Sequence, residues 1–531
     1  MSAQPARESV APRRETRRRV APEGGATPRL RILDDLFAQL DAESIRYCHW
    51  KSNEHLGPAL TGVTDVDALF DRRAAQRLAH ILTSSPHFKR FTVKAGRGYP
   101  GIEDYVGFDP ETGALTHLHV HYQLTLGEKF LKGHRLPWED VLLETRVRDA
   151  DYDVWVTDPH LELLILIARA AIKLRWRDGL LELLGYDYVR GSMLREMRWL
   201  AARVRSDRLI ERSTPLVGSA AAHAAAAMIS TRAPSIRQLR AFRRLVDPPL
   251  SSYRMYSAPG TARRMLFREW TWIWWRVSHW ITRAPTRSTR TPPHGGVAIA
   301  FVGPDGAGKS TLTQTIAKWL SREMAVITTY GGSGKGTASP PRRWLQWIGA
   351  WSRPSTAVRP PLDRASSPPA AAAKPEAKGG GFRLLGRILW ILTLARERRR
   401  WAQQVRQARS LGMIVLSDRL PQSQFAGLND GPRLGSWVDS PSWLRRQAAR
   451  REQASFRMAE LVPPDLVIRL HVPVDIASRR KPETPLDQLR QKVEIVGKLA
   501  FPSTCRVAEI NAAQPIDRVV AEVKQAVWEC L

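Results

Sequence analysis

The stretch Val297-Ala298-Ile299-Ala300-Phe301-Val302-Gly303-Pro304-Asp305-Gly306-Ala307-Gly308-Lys309-Ser310-Thr311 decides the reading of the second half of this chain. Six apolar residues run into a loop of the form G-x-x-x-x-G-K-[ST], with Gly303, Gly308, Lys309 and Ser310 in register. Beyond it Leu312, Ile316, Trp319 and Leu320 recur at helical spacing, so the loop falls between a strand and a helix. Gly303, Gly306 and Gly308 allow backbone conformations that turn successive N–H groups inward, and the new helix adds its positive end. Such a loop encloses phosphate oxygens, with Asp305, Ala307 and Thr311 completing its frame and the helix start. Lys309 then reaches the β and γ phosphates of a bound nucleotide, and the Ser310 hydroxyl meets Mg²⁺. The alternative is a Gly-rich turn that happens to precede a helix. Chance supplies about 0.01–0.02 such matches in a chain of this length, and the correct flanks lower that further.

At 531 residues the chain holds roughly three or four domains' worth of sequence. Its formal net charge is +31. A field of that sign favours phosphates, nucleic acids, anionic polymers or anionic lipid surfaces without choosing among them, and solvated Arg-rich faces explain it equally well. Cys48, Cys505 and Cys530 show no C-x-x-C spacing and are too few for a disulfide scaffold, which fits a reducing, cytoplasmic setting. Residues 1–28, rich in Arg, Pro, Ala and Glu, read as a disordered basic tail rather than a secretion signal. No apolar run reaches the ~18–20 residues that span a bilayer. Trp270, Trp272, Trp274, Trp275 and Trp280, among Arg268, Arg276 and Arg283, mix aromatics with cations as interfacial helices do. The apolar stretch 384–395 is a second segment of this kind. For both, an ordinary core or interdomain helix is the competing account.

The first half opens with Leu33, Leu36, Phe37 and Leu40 on one helical face. Further on, Val63-Thr64-Asp65-Val66-Asp67-Ala68-Leu69-Phe70 is an Asp-x-Asp on a strand, and period-two alternation puts both carboxylates on one face. Two such groups can clamp Mg²⁺ beside a triphosphate. This segment, from about residue 47 to 122, resembles the nucleotidyltransferase-like fold, whose pattern is a small polar turn, an Asp-hydrophobic-Asp strand and a third acid on a neighbouring strand. Lys51-Ser52 stands at the turn, Asp65 and Asp67 match the pair, and the third position falls in His117-Leu118-His119-Val120-His121-Tyr122, where His119 replaces a carboxylate. The alternating His117, His119 and His121 form either a metal- or phosphate-facing row or one exposed strand face.

Residues 158–250 read mostly as helix. Leu161, Leu164, Ile165, Ala168, Ile172 and Trp176 keep helical spacing after the start signal Asp158-Pro159, and an Ala-rich run covers 220–227. Residues 251–294, rich in Pro, Arg and Trp, read as the linker between halves.

In the second half, 338–382 is dense in Pro, Ala, Ser, Gly and Arg, the composition of a disordered insertion. The apolar run Gly412-Met413-Ile414-Val415-Leu416-Ser417-Asp418-Arg419 ends a strand in Asp-Arg, at the sheet edge where α/β folds bind ligands. A Pro-Asp-Leu strand, 463–473, and the basic run Arg479-Arg480-Lys481 follow. Together these resemble the thymidylate kinase family, over roughly 295–531. The whole arrangement is similar to thymidylate-kinase-like proteins associated with bacterial polysaccharide biosynthesis. The resemblance implies a parallel-sheet nucleoside monophosphate kinase fold using ATP and Mg²⁺. It implies that Lys309 and Ser310 hold donor phosphates and Mg²⁺, and that Asp305 lies near the acceptor sugar. Asp418 and Arg419 then act at the acceptor phosphate, with Asp418 also a Mg²⁺ ligand, and Arg479 or Arg480 acts from a lid. The apolar strand at 324–329, second in this half, lacks an Arg-Glu-Pro-Gly acceptor motif, and Leu420 stands where the family has an aromatic.

The expected protein is therefore a multidomain α/β protein. A nucleotidyltransferase-like α+β domain (29–150) and a helical region (151–250) precede a P-loop domain (295–531). Its expected chemistry is transfer of the γ-phosphoryl of ATP to a nucleoside monophosphate or another phosphorylated acceptor. A P-loop ATPase or switch, a nucleotidyltransferase centred on Asp65 and Asp67, and nucleic-acid binding stand as alternatives. Peripheral membrane or polysaccharide-assembly contact and a homodimer are among the partners this reading allows.

Overall fold

The computed structural model describes residues 28–93, 99–128, 131–174, 191–229, 234–282, 290–332 and 380–531. The basic tail, Trp176, Arg283 and the insertion up to residue 379 lie outside the described residues, as do the side chains of Trp272, Trp275, Arg276 and Trp280.

Strands β1 (Tyr47–His49), β2 (Val66–Phe70), β3 (Phe88–Val93), β4 (Ile102–Asp109), β5 (Ala114–His121), β6 (Leu124–Glu128), β7 (Leu131–Leu136), β8 (Val147–Arg148) and β9 (Trp155–Val156) belong to the first half. Strand β10 (Arg290–Thr291) comes from the interval read as a linker. They form an eight-stranded mixed sheet in the order β10-β3-β4-β5-β2-β1-β9-β8, with β6 and β7 as a separate hairpin. Leu33, Leu36, Phe37 and Leu40 of the helix Arg31–Ala42 are buried against this sheet, as their spacing predicts. The helix Pro159–Lys173 starts where Asp158-Pro159 signals it: the Asp158 carboxylate accepts from the His160 N–H and proline occupies the first turn. It is buried on nearly every face, because the helices Gly191–Ala201, Ser206–Val217, Ser219–Ala227 and Ile236–Leu250 and the β6–β7 hairpin share its core.

The second half is built on β11 (Ala298–Val302), β12 (Val326–Tyr330), β13 (Ile414–Asp418), β14 (Leu466–His471) and β15 (Arg506–Asn511). Their order is β12-β13-β11-β14-β15 and every pairing is parallel. A parallel sheet needs crossovers that cover both faces, so its central strand must be apolar on both. Strand β11 meets this: Ile299 and Phe301 pack with Leu312, Ile316 and Trp319, while Ala298 packs with Trp401 and Val405 on the other side. The helix Gly380–Ser410 buries Ile388, Ile391, Leu394 and Ala395, so one face of the apolar 384–395 stretch is interior while Leu385 and Leu389 are exposed.

The two halves share one core. Phe91, Val106, Phe108 and Leu115 of the first sheet belong to the same apolar cluster as Ile316, Trp319, Val527 and Trp528. The Phe108 ring lies 5.6 Å from Trp319 and 5.7 Å from Trp528. Polar ties run across the same seam: Trp528 Nε1 donates to Pro86 O at 3.0 Å, Lys524 Nζ to Gly113 O at 2.8 Å, and Arg322 to Gly62 O at 2.7 Å. Strand β10 also pairs antiparallel with β3. The interval 251–294 thus contributes a sheet edge and a long helix, Ala258–Thr282, whose Leu266, Phe267, Trp270, Ile273 and Trp274 are exposed. Among the described residues, no helix is long and apolar enough to cross a membrane.

Candidate functional site

The loop after β11 closes on its glycines for two different reasons. Gly306 and Gly308 both have φ +85°, a left-handed backbone that side chains disfavour. A Cβ on Gly306 would meet Ala477 O at 2.7 Å, because the helix Val474–Arg480 backs directly onto the loop. A Cβ on Gly308 would meet nothing within 4 Å, so that backbone borders open space at the start of the helix Lys309–Leu320. A helix N-terminus facing free volume, with its first N–H groups unspent, is a ready anion site.

Lys309 is buried, and its Nζ donates to Gly303 O at 2.9 Å and Pro304 O at 2.7 Å. Burial pulls its ammonium down to about 8, and the charge of Arg419 adds to that. Parallel pairing of β11 with β13 sets Asp418 beside Phe301, one residue short of the loop's first flank. The Ser310 hydroxyl then donates to Asp418 Oδ2 at 2.5 Å, while Asp418 Oδ1 is buried and has no hydrogen-bond partner among the described residues. A hydroxyl and a carboxylate in contact, with one carboxylate oxygen orphaned, is an oxygen donor set suited to Mg²⁺. Ser310 and Asp418 are the residues that would hold it.

Arg419 extends the site sideways. Its φ of +77° is costly for a residue with a Cβ. Two contacts hold that geometry: Arg419 N donates to Phe301 O at 3.2 Å, and Ser417 Oγ donates to Arg419 O at 2.7 Å. Trp401 Nε1 in turn donates to Ser417 Oγ at 3.1 Å. The guanidinium bonds Asp305 at 2.8 Å and Asp430 at 3.2 Å, and Lys492 Nζ bonds the second Asp305 oxygen at 2.6 Å. Burial pushes the Asp305 carboxyl up, but Lys492 and Arg419 outweigh it and hold it below the ordinary carboxylate range. Asp305, expected near an acceptor sugar, is thus the centre of an ion network that anchors Arg419. Lys492 and Asp430 were not legible in sequence, since neither sits in a motif.

Arg479 and Arg480 lie on the helix that backs onto Gly306, yet they point elsewhere. Arg479 pairs with Asp475 one turn earlier at 2.9 Å, and Arg480 donates to Ala512 O at 3.0 Å. Among the described contacts neither touches residues 303–310.

In the first half, parallel pairing of β2 and β5 sets Asp67 opposite His119. The histidine row is buried or nearly so, because Trp50, Lys51, Asp65 and Arg290 cover it; it is not an exposed strand face. Asp65 and Asp67 address different imidazoles. Asp65 stands 3.2 Å from His117 Nδ1, whereas Asp67 Oδ1 stands 2.8 Å from Lys51 Nζ, 3.1 Å from His119 Nδ1 and 3.4 Å from His121 Nε2. His117 Nε2 lies 2.8 Å from Asp104, and Arg290 bridges His117, Asp104 and Glu323. Burial pulls His117 down, but the two carboxylates outweigh it and raise it to about 9. Asp104 and Arg290 were missed in sequence: one sits in an unremarkable strand, the other in an interval read as linker.

No protein-family model matches the sequence. Two curated relatives are named for ATP. The chain is 28% identical over 234 residues to the "Uncharacterized ATP-binding protein YghR" of Escherichia coli K12, covering 43% of this chain and 86% of that protein. It is 27% identical over 236 residues to the "Uncharacterized ATP-binding protein YghS" of the same organism, covering 44% of this chain and 93% of that protein.

Proposed function

We propose that the second half of the chain binds ATP and Mg²⁺ in the 303–311 loop and transfers the γ-phosphoryl to a phosphorylated acceptor, in the manner of thymidylate-kinase-like enzymes. The observation that carries this is the contact of Ser310 with Asp418, beside a half-buried Arg419. It joins a phosphate-binding helix start to an Asp-Arg strand end in one cleft. The five-stranded parallel sheet and the similarity to proteins named ATP-binding agree with it.

In this reading the loop amides and Lys309 hold the donor phosphates, and Ser310 and Asp418 hold the ion. The ion held there would supply neutralisation of phosphate charge. Arg419, fixed by Asp305 and Asp430, grips the acceptor phosphate, and a nucleoside monophosphate such as dTMP supplies one. Arg479 and Arg480 reach the phosphates only after the helix Val474–Arg480 moves, a lid role that fits their present contacts outside the loop. The work is positioning and charge neutralisation, with little covalent chemistry by the protein.

The test is a panel of nucleoside monophosphates incubated with γ-labelled ATP and Mg²⁺. Label should appear in a nucleoside diphosphate, and Arg419→Ala should cut that transfer by about 10²-fold or more. Label released only as inorganic phosphate across the whole panel, with Arg419→Ala unaffected, would make the protein an ATPase instead.

Lys309 adds a pH dependence. Phosphate oxygens favour its charged form, so its value rises from about 8 when ATP binds. Below about pH 8 the group is already protonated and this contribution to affinity is fully present. Above it, binding must take up a proton, and affinity falls by up to about tenfold per pH unit until the bound value is reached. Calorimetry at pH 9 in buffers of different ionisation enthalpy should register that uptake in the wild type and not in Lys309→Met.

A further inference from the structure

We propose that Asp67, His119 and His121 form a binding site for a divalent transition-metal ion, separate from the nucleotide loop. The register that sets Asp67 opposite His119 also puts His121 on the same strand face, two residues along β5. One donor atom from each residue lies within 4.8 Å of the other two. Asp67 Oδ1 is 3.1 Å from His119 Nδ1 and 3.4 Å from His121 Nε2. An ion with tetrahedral bonds of about 2.0–2.1 Å keeps its ligands roughly 3.3 Å apart. Both distances to Asp67 already match that spacing, and the third, between the two imidazoles, lies within 4.8 Å.

His121 supplies the second observation. It is fully buried, and among the described residues Nδ1 has no hydrogen-bond partner while Nε2 has only the 3.4 Å approach to Asp67 Oδ1, which lacks hydrogen-bond alignment. A buried polar group left without a partner is costly, and native interiors rarely tolerate one without a reason. The Trp50 ring, 5.1 Å away and edge-on, walls the imidazole in. An ion on Nε2 would satisfy the nitrogen that points toward Asp67.

The position already attracts positive charge. Lys51 Nζ sits 2.8 Å from Asp67 Oδ1, on a flexible stem at the edge of the group. An incoming ion would displace that ammonium. Two imidazoles and one carboxylate suit Zn²⁺, Co²⁺ or Fe²⁺ and are a poor set for Mg²⁺ or Ca²⁺, which take oxygen ligands. The adjacent group of Asp65, His117 and Glu323 has comparable spacing. There, however, the Arg290 guanidinium bonds His117, Asp104 and Glu323 and fills the place of a cation.

The test uses the full chain, stripped with chelator, dialysed, and titrated with Co²⁺ or Zn²⁺ alone. One equivalent should bind, with a visible Co²⁺ absorption intense enough for a four- or five-coordinate site. Asp67→Asn and His119→Gln should each weaken binding by about tenfold or more, with circular dichroism reporting that they fold. Lys51→Met, which removes the competing ammonium, should bind more tightly, and Lys309→Met should keep the full equivalent. The proposal is overturned if the wild type retains no stoichiometric ion. It is equally overturned if Asp67→Asn and His119→Gln retain it unchanged, if Lys51→Met fails to tighten it, or if only His117→Gln loses it.

Discussion

Lys309→Met should reduce the proposed phosphoryl transfer by on the order of 10²–10³-fold, the usual loss when one preorganised donor to a developing charge is removed. The residue is buried, and its ammonium is held between the carbonyls of Gly303 and Pro304. Arginine would not rescue it, because a planar fork cannot follow a point charge into that space. The phosphate oxygens supply what the carbonyls supply without ligand, so the loss should fall mainly on turnover and on ATP affinity above all at low Mg²⁺. Circular dichroism and denaturant unfolding should show the variant folded. Turnover within tenfold of wild type in a folded Lys309→Met protein would remove the loop from the chemistry.

Much of that site could be read before any coordinates. The G-x-x-x-x-G-K-[ST] pattern between an apolar run and a helical face is local, and locality is what sequence periodicity reports. The Asp-Arg strand end was legible for the same reason, since an apolar run stopping at two charges marks a strand's carboxyl edge. What sequence could not supply was pairing across the chain. Ser310 meets Asp418 only because β11 and β13 lie side by side, although 108 residues separate them. Lys492 and Asp430 carry no pattern of their own and acquire a role only by facing Asp305 and Arg419. In the first half, Asp65, Asp67 and the histidine row could each be named from alternation. Which acid meets which imidazole depends on the β2–β5 register, and the cation that closes one of the groups, Arg290, arrives from a segment whose composition resembles a linker. The shared core between halves was hidden as well, because Phe108 reads as an ordinary strand residue until Trp319 and Trp528 are beside it.

That shared core leads to the second large effect. Phe108→Ala should cost about 3–5 kcal/mol, the range for emptying a well-packed aromatic position, and the cost should be felt on the far side of the seam. The Phe108 side chain comes from β4, but its ring contacts Trp319 on the helix that begins with Lys309 and Trp528 on the C-terminal helix Ile516–Cys530. Removing it opens a cavity against both indoles, and neither can close the gap alone, since Trp528 is tied to Pro86 O and Trp319 is packed with Leu320 and Ile316. If the seam is a true core, denaturant should abolish ATP binding and first-half secondary structure together, both at a lower midpoint than in the wild type. If the halves are merely tethered, ATP binding in Phe108→Ala will persist to the wild-type midpoint while the first half melts early. Two probes on one variant, nucleotide affinity and far-ultraviolet circular dichroism, separate these outcomes. A coincident shift would mean that the first half helps to hold the helix Lys309–Leu320 in place.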